Sequence, residues 1–212
     1  MNRRTLLAWL ALTATPVLPH PVLAQATGPQ AARLVVQDTT DRMLKVLKLE
    51  RNLLRQQPDR IYAFVNQIIL PHFDFTRMSR WVLGRYWRDA TEDQRSRFVQ
   101  EFRTLLVRTY ATALLEYADQ TVEVLPLQAE PSATDVVVRT EVRQSGGPPI
   151  PIQYRMSLEG TAWKVYDVTI DGVSLVASYR STFANEAAKG GGLDPLIAML
   201  VDRNQRKQVQ DP

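Results

Sequence analysis

Cysteine is absent from this sequence of 212 residues. Disulfide bonds, cysteine-ligated zinc and thiol catalysis are therefore excluded together. Histidine is scarce, with only His20 and His72. A metal site needs several clustered ligands, so the sequence predicts none. We interpret His72, which follows a proline at a predicted helix end, as a cap or surface residue.

Long hydrophobic runs are also missing beyond the first 25 residues, so no membrane span is predicted there. A large excess of charge of one sign is missing as well. The chain has 26 basic and 22 acidic side chains, and setting aside Arg3 and Arg4 leaves 24 against 22. This balance does not favour a nucleic-acid partner.

The N-terminal segment has the features of an export signal. Arg3 and Arg4 give it a positive start, and the apolar run at residues 6–12 is too short to cross a bilayer. Small residues offer cleavage near Ala24 or Ala26. We therefore expect a protein that works outside the cytoplasm, which in a Gram-negative cell means the periplasm.

The predicted signal peptide occupies residues 1–25 and leaves residues 26–212 as a single domain. The first part of this domain has apolar residues at helical spacing. Predicted helices cover residues 31–56, 58–70, 73–84 and 91–118. Thr91 and Gln94 have the spacing of a capping box at the start of the last one.

From residue 121 the pattern alternates with a period of two, as in half-buried strands. Predicted strands cover residues 121–127, 135–143, 150–159 and 163–170. The last strand leads through Asp171-Gly172 into a helix for which Ser174 is the expected N-cap. The short connections predict a four-stranded antiparallel sheet in an α+β fold, with helices covering one face.

Two blocks of residues carry a resemblance to a known family. The first block contains Phe73, Asp74, Phe75, Met78, Leu83, Gly84, Trp87, Arg88, Ala90, Thr91, Gln94, Arg95, Phe98, Phe102, Arg103, Leu105, Leu106, Arg108, Thr109 and Tyr110. The second contains Tyr166, Asp167, Val168, Gly172, Val173, Ser174, Leu175, Tyr179, Arg180 and Phe183. In order and spacing they resemble the MlaC family of periplasmic phospholipid carriers, also called toluene-tolerance auxiliary proteins.

The resemblance implies an NTF2-like sheet covered by helices, with an apolar cavity between them. It implies a shuttle rather than an enzyme, with bound phospholipid as cargo and no cofactor. The implied partners are an outer-membrane lipoprotein–porin complex and the MCE-domain subunit of an inner-membrane ABC transporter. The implied role is support of outer-membrane lipid asymmetry.

A lipid carrier needs apolar volume, because each buried methylene contributes about 0.8 kcal/mol. The lipid-contact residues that we predict come from the sheet and the two blocks. They are Phe75, Met78, Val82, Leu83, Phe102, Leu106, Tyr110, Tyr154, Met156, Tyr166, Val168, Val173, Leu175, Val176 and Tyr179. The alternative for each of them is ordinary core packing.

Arginines are concentrated in the first block. Arg80, Arg85 and Arg88 are candidates for contact with phosphate headgroups or with an acidic partner surface. The alternative is a solvated helix surface with ion pairs. We also expect Asp167 and Arg180 to pair and tie the last strand to its helix.

Two other functions remain open from the sequence. An NTF2-like isomerase could use Asp135 or Asp167 as a base, with Tyr154 and Tyr166 as donors. The chain could also be an interaction module with a solid core and no cavity.

Overall fold

The computed structural model describes residues 28–144 and 146–210. The predicted signal peptide and its cleavage near Ala24 or Ala26 lie outside the described residues. The α-helices are α1 (Pro29–Leu49), α2 (Arg51–Gln56), α3 (Arg60–Phe64), α4 (Phe75–Leu83), α5 (Arg85–Asp89), α6 (Glu92–Tyr110), α7 (Leu175–Gly190) and α8 (Leu193–Gln210). The strands are β1 (Thr121–Val124), β2 (Asp135–Arg143), β3 (Ile150–Glu159), β4 (Ala162–Ile170) and β5 (Val173–Ser174).

Three further helical segments are not α-helical. A π-helix covers Val65–Ile69, and 3-10 segments cover Leu70–His72 and Thr112–Asp119. The predicted helix over residues 58–70 is therefore a chain of three different helix types. The wider π turn changes which side chains face the core, and the run continues through Pro71 to His72 before the extended residue Phe73 ends it.

Two predicted helices end earlier than their apolar pattern suggests. The segment 31–56 breaks at Glu50, whose φ of −96° and ψ of 12° interrupt the helix between α1 and α2. The segment 91–118 is α-helical only to Tyr110. Its start is as predicted, because the Thr91 hydroxyl accepts from the Gln94 amide at 3.2 Å and the Gln94 side chain accepts from the Thr91 amide at 3.0 Å.

The sheet is antiparallel throughout, in the order β1-β2-β3-β4-β5. This confirms the predicted α+β fold and adds a short fifth strand to the four that were expected. Asp171 and Gly172 have φ angles of 48° and 81°. Two consecutive residues with positive φ form the kind of tight turn that joins hairpin strands, and the chain pairs briefly as β5 before α7 begins.

A bulge in β4 explains how helices come to lie on both faces of the sheet. Arg155 pairs with Asp167 and Met156 pairs with Val165, which leaves Tyr166 as the extra residue. Tyr166 and Asp167 therefore both point to the same face of the sheet, called the outer face, where α4 and α7 cover them. Helix α1 packs on the opposite face, called the inner face. The prediction of one covered face is wrong for this part of the sheet.

Three groups of buried side chains make up the core. Helices α4, α6, α7 and α8 enclose the first, in which Phe98 and Phe183 meet edge to face with ring centroids 5.7 Å apart. Helix α1 packs against the inner face of the sheet to form the second. The other end of α1 packs with α2, α3 and the π-helix to form the third. Helix α1 thus belongs to two groups, and the cavity described next lies beside it.

Candidate functional site

A cavity of about 230 Å³ lies between α1 and the inner face of the sheet. The π-helix, the segment after it and the end of α6 close the remaining sides. Its lining residues are Val35, Val36, Thr39, Thr40, Met43, Leu44, Leu47, Ile69, His72, Phe73, Tyr110, Ala113, Leu114, Val122, Val142, Ile152, Tyr154, Val165 and Ile170. The antiparallel pairing places alternate residues of β1 to β4 on this one wall.

The volume and chemistry of the cavity suit hydrocarbon. Apolar cavities of about 150 Å³ admit benzene, whereas pockets for drug-sized ligands occupy roughly 300–1,000 Å³. Most of the lining is aliphatic or aromatic. An apolar molecule that enters is held by exclusion from water, without a requirement for directional bonds.

Two of the polar groups in the cavity wall, Tyr110 and Thr39, carry no charge. Burial, together with a hydrogen bond to Tyr179, raises the pKa of Tyr110 to about 12, so this phenol stays neutral. The Thr39 hydroxyl is buried and has no hydrogen-bond partner among the described residues. Neither group supplies a base or a nucleophile.

His72 lies at the rim, because it lines the cavity and directly follows Pro71, which is exposed and is bonded by Lys164 at the surface. Burial and the nearby cations Lys164 and Arg42 lower the pKa of His72, and Asp38 opposes them in part. Lys164 Nζ donates a hydrogen bond to the Pro71 carbonyl at 2.5 Å. The interpretation of His72 as a cap or surface residue is therefore incomplete.

Two of the predicted lipid-contact residues, Tyr110 and Tyr154, line the cavity. Met156 and Val168 are buried with the inner face of the sheet, and Leu175 packs against the same group. The residues in or against the helical group are Phe75, Met78, Val82, Leu83, Phe102, Leu106, Tyr166, Val176 and Tyr179. Val173 is 58% exposed. Lipid contact by the whole set stays a prediction.

Sequence reasoning did not connect α1 with the cavity, although α1 supplies the largest share of its wall. The apolar stripe of α1, with Val36, Met43, Leu44 and Leu47, was visible in the sequence. Thr39 and Thr40 interrupt that stripe at positions facing inward. Small polar residues inside an apolar stripe were the available signal.

The three candidate arginines, Arg80, Arg85 and Arg88, are exposed and are not among the lining residues of the cavity. Arg80 borders a separate surface recess beside Trp81. Arg85 donates to the Tyr86 hydroxyl at 3.1 Å. Their contact with a headgroup or partner stays a prediction.

Asp167 has a structural role that differs from the predicted pair. It accepts hydrogen bonds from the Ser174 hydroxyl at 2.8 Å and from the Val176 amide at 3.1 Å. The Arg180 guanidinium lies beside Gly84 instead, and the described residues contain no Asp167–Arg180 ion pair. The carboxylate thus fixes the start of α7.

The residues considered for an isomerase do not meet in the cavity. Tyr154 lines it, whereas the Tyr166 hydroxyl donates to Asp135 at 2.8 Å on the outer face of the sheet. Asp167 is bound at the start of α7. The structure therefore does not assemble that base and its donors around one substrate position.

Within residues 28–144 and 146–210, no helix combines the length and apolar character needed to cross a bilayer. The same residues contain no cluster of three or more histidine, aspartate or glutamate side chains that could hold a metal ion.

Comparison with known proteins assigns the family. Residues 37–202 match the family model described as MlaC protein. Toluene tolerance protein ttg2D of Pseudomonas putida is 32% identical over 197 residues, which cover 92% of this chain and 87% of that protein. The intermembrane phospholipid transport system binding protein MlaC of Haemophilus influenzae is 23% identical over 203 residues, or 94% of each chain.

A solved structure agrees in fold. The phospholipid-binding protein from Ralstonia solanacearum, determined in complex with a phospholipid, superposes with a TM-score of 0.77 at 35% sequence identity. The match covers 84% of this chain and 98% of that one. On the family match and these relatives, the chain belongs to the MlaC family.

Proposed function

We propose that this chain binds a phospholipid by its acyl tails in the cavity beneath α1 and carries it across the periplasm. The observation that supports this is an apolar cavity with a polar rim in a member of the MlaC family. A similar protein of this fold is a phospholipid-binding protein. The arrangement suits cargo transport, because most of the lining is aliphatic or aromatic.

The energetics of exchange favour such a cavity. An acyl chain of about a dozen methylenes gains on the order of 10 kcal/mol on leaving water. A carrier must offer nearly the same gain as the bilayer, or the lipid stays in the membrane. It must not exceed that gain by much, or the lipid is not released.

The volume implies that the walls move. About 230 Å³ is less than a typical pocket for a drug-sized ligand, and a two-tailed phospholipid is larger than such a ligand. Helix α1 is the movable wall in this proposal, because it contacts the sheet mainly through apolar side chains, with a Gln30–Leu127 hydrogen bond of 3.0 Å near its start.

The function is tested by native mass spectrometry of protein purified from a Gram-negative host. We expect a bound mass equal to that of a glycerophospholipid. Ala113 is exposed and also lines the cavity, so Ala113→Trp should obstruct it and reduce the lipid-bound fraction. Ala184→Trp, at an exposed position on α7, is the matched control and should leave it unchanged. Protein that is free of acyl lipid in every preparation would refute the proposal.

We also propose the partners that the family implies. They are the MCE-domain subunit of an inner-membrane ABC transporter and an outer-membrane lipoprotein–porin complex, with support of lipid asymmetry as the outcome. The exposed Arg80, Arg85 and Arg88 are the proposed docking cations. The double variant Arg80→Glu/Arg88→Glu should weaken docking to the MCE subunit and keep its lipid, whereas Arg55→Glu should dock normally. Unchanged docking of the double variant would remove these arginines from the interface.

A further inference from the structure

We propose that His72, Lys164 and Arg42 form a phosphate subsite at the rim of the cavity. Its ligand is the phosphodiester of a lipid whose tails lie in the cavity, so the subsite depends on the function proposed above. The inference adds the position of the headgroup, which the apolar wall does not determine.

His72 and the cations Lys164 and Arg42 lie at the seam between α1 and the edge of β4, where both cations are close enough to act on the imidazole. Phe73 forms a bridge with Val165 there, so the chain segment that carries His72 runs along β4. Lys164 precedes Val165 and reaches back to the Pro71 carbonyl, next to His72. Val165 and His72 both line the cavity. Lys164 is therefore held at the rim and does not swing freely in solvent.

Helix α1 supplies the facing side of the seam. Thr39 lines the cavity, and Arg42 follows three residues later, on the neighbouring position of the same helix face. The Arg42 side chain is 52% exposed and pairs with Asp38 at 3.5 Å, whose side chain is 65% exposed. Such an exposed pair is weak, so its arginine can turn to a stronger acceptor.

The donors present at the seam match what a phosphodiester needs. The hydrogen bond of Lys164 goes to a neutral carbonyl, although its charge also acts on the Glu159 carboxyl group and opposes the rise in the pKa of Glu159. The Thr39 hydroxyl has no described hydrogen-bond partner. An ammonium, a guanidinium, an imidazole N–H and a hydroxyl can all donate to phosphate oxygens, with the charged donors giving the stronger bonds.

Geometry requires the phosphate to stay near this rim. Burying its charge in the apolar cavity would be costly, while the glycerol linkage keeps it within a few bonds of the tails. A partly exposed site is also screened by salt. The subsite can therefore orient the lipid without preventing its release.

The test compares phosphatidylglycerol with diacylglycerol of the same tails. Lys164→Gln/Arg42→Gln should bind phosphatidylglycerol about tenfold less tightly, as expected when charge-assisted hydrogen bonds are lost. Its affinity for diacylglycerol should not change. Lys189→Gln/Arg55→Gln, which removes two positive charges at exposed positions on α7 and α2, is the control for net charge. Equal losses for both lipids, or no loss for phosphatidylglycerol, would overturn the subsite. If the unmodified protein binds neither lipid, the carrier function itself fails.

The histidine gives an independent readout by NMR titration. The resonance missing from His72→Gln identifies His72, which is the only histidine after residue 27. Phosphatidylglycerol should raise the pKa of His72, because its negative phosphate opposes the lowering by burial, Lys164 and Arg42. Asp38 is present in both the free and the bound protein and does not account for the difference. Diacylglycerol should leave the pKa unchanged. Inorganic phosphate alone at millimolar concentration should have little effect, because it lacks tails. A shift as large with phosphate alone would identify a free-anion site and overturn the assignment to a lipid headgroup.

Discussion

Asp167 illustrates how single residues in this chain serve the joints between elements. Its side chain is buried, with 5% of the residue exposed, and it accepts bonds from the Ser174 hydroxyl and the Val176 amide. The sequence predicted that Asp167 joins β4 to the following helix. The partner was wrong, because the bulge at Tyr166 directs Asp167 to the helix start, and no residue pattern indicates that bulge.

Asp167→Ala should lower the free energy of unfolding by about 2–3 kcal/mol, because it leaves a buried amide donor without an acceptor. Urea unfolding monitored by circular dichroism measures the change. Asp59→Ala is a matched control, since Asp59 is exposed and makes no side-chain cap bond at α3. A loss of less than about 0.5 kcal/mol for Asp167→Ala would show that water replaces the carboxylate.

His72 makes the stability of the lipid-free protein depend on pH. Its pKa is lowered in the folded protein by burial, with Lys164 and Arg42 adding to the effect. The unfolded chain therefore binds more protons between the lowered pKa and the ordinary value near 6.5. Stability should rise with pH through that window, and this contribution should be lost as pH falls below the ordinary value toward the lowered pKa.

His72→Asn should flatten this dependence. The measurement is the free energy of unfolding in urea at several pH values for both proteins, each stripped of lipid. Glu159 also titrates, and a hydrogen bond with Asp74 is the main cause of its raised pKa. Its contribution to stability falls as pH rises, opposite to that of His72. Because Glu159 is present in both proteins, the difference between them isolates His72. Identical slopes for the two proteins between pH 5 and 7 would contradict the lowered pKa.

Among the elements, helix starts were easier to predict than helix ends. Thr91, Gln94 and Ser174 are short polar side chains whose capping bonds are local, so their spacing identifies them directly. The break at Glu50 and the π-helix Val65–Ile69 have no such local residue signature. They follow from packing of α1 and its neighbours, which depends on contacts between distant segments.

Removing the capping box tests the start of α6. Thr91→Ala should cost about 1 kcal/mol of stability, because the Gln94 amide loses its acceptor. Thr182→Ala provides the contrast, since Thr182 lies inside α7 and is exposed. There alanine should be neutral or slightly stabilising by helix propensity. Equal effects of the two substitutions in thermal or urea unfolding would contradict the capping assignment.

For the whole molecule, periodicity predicted the α+β fold and the antiparallel order, because both follow from local patterns and short connections. It did not predict which apolar residues surround the cavity. An apolar stripe is the same whether it packs against side chains or lines a space, as Met78 in the helical core and Met43 in the cavity wall show. That distinction depends on how the helices and the sheet fit together.

Hydrogen–deuterium exchange on loading with phosphatidylglycerol distinguishes lipid in the cavity beneath α1 from lipid in the helical core. If the tails lie beneath α1, exchange should change in Pro29–Leu49, in Val65–Ile69 and in the strands facing them. Helices α7 and α8 should not change, because their aromatic core with Phe98 and Phe183 is closely packed and does not line the cavity.

The same experiment with Ala113→Trp should show little change anywhere, because the added ring obstructs the cavity. The opposite pattern, with α7 and α8 affected and α1 unaffected, would place the lipid among Met78, Leu83 and Phe102 instead. That result would require the four-helix group to open, which means separating aromatic pairs such as Phe102 and Tyr179, whose ring centroids are 5.2 Å apart. Opening along α1 separates mainly aliphatic contacts, and it is the motion that we expect.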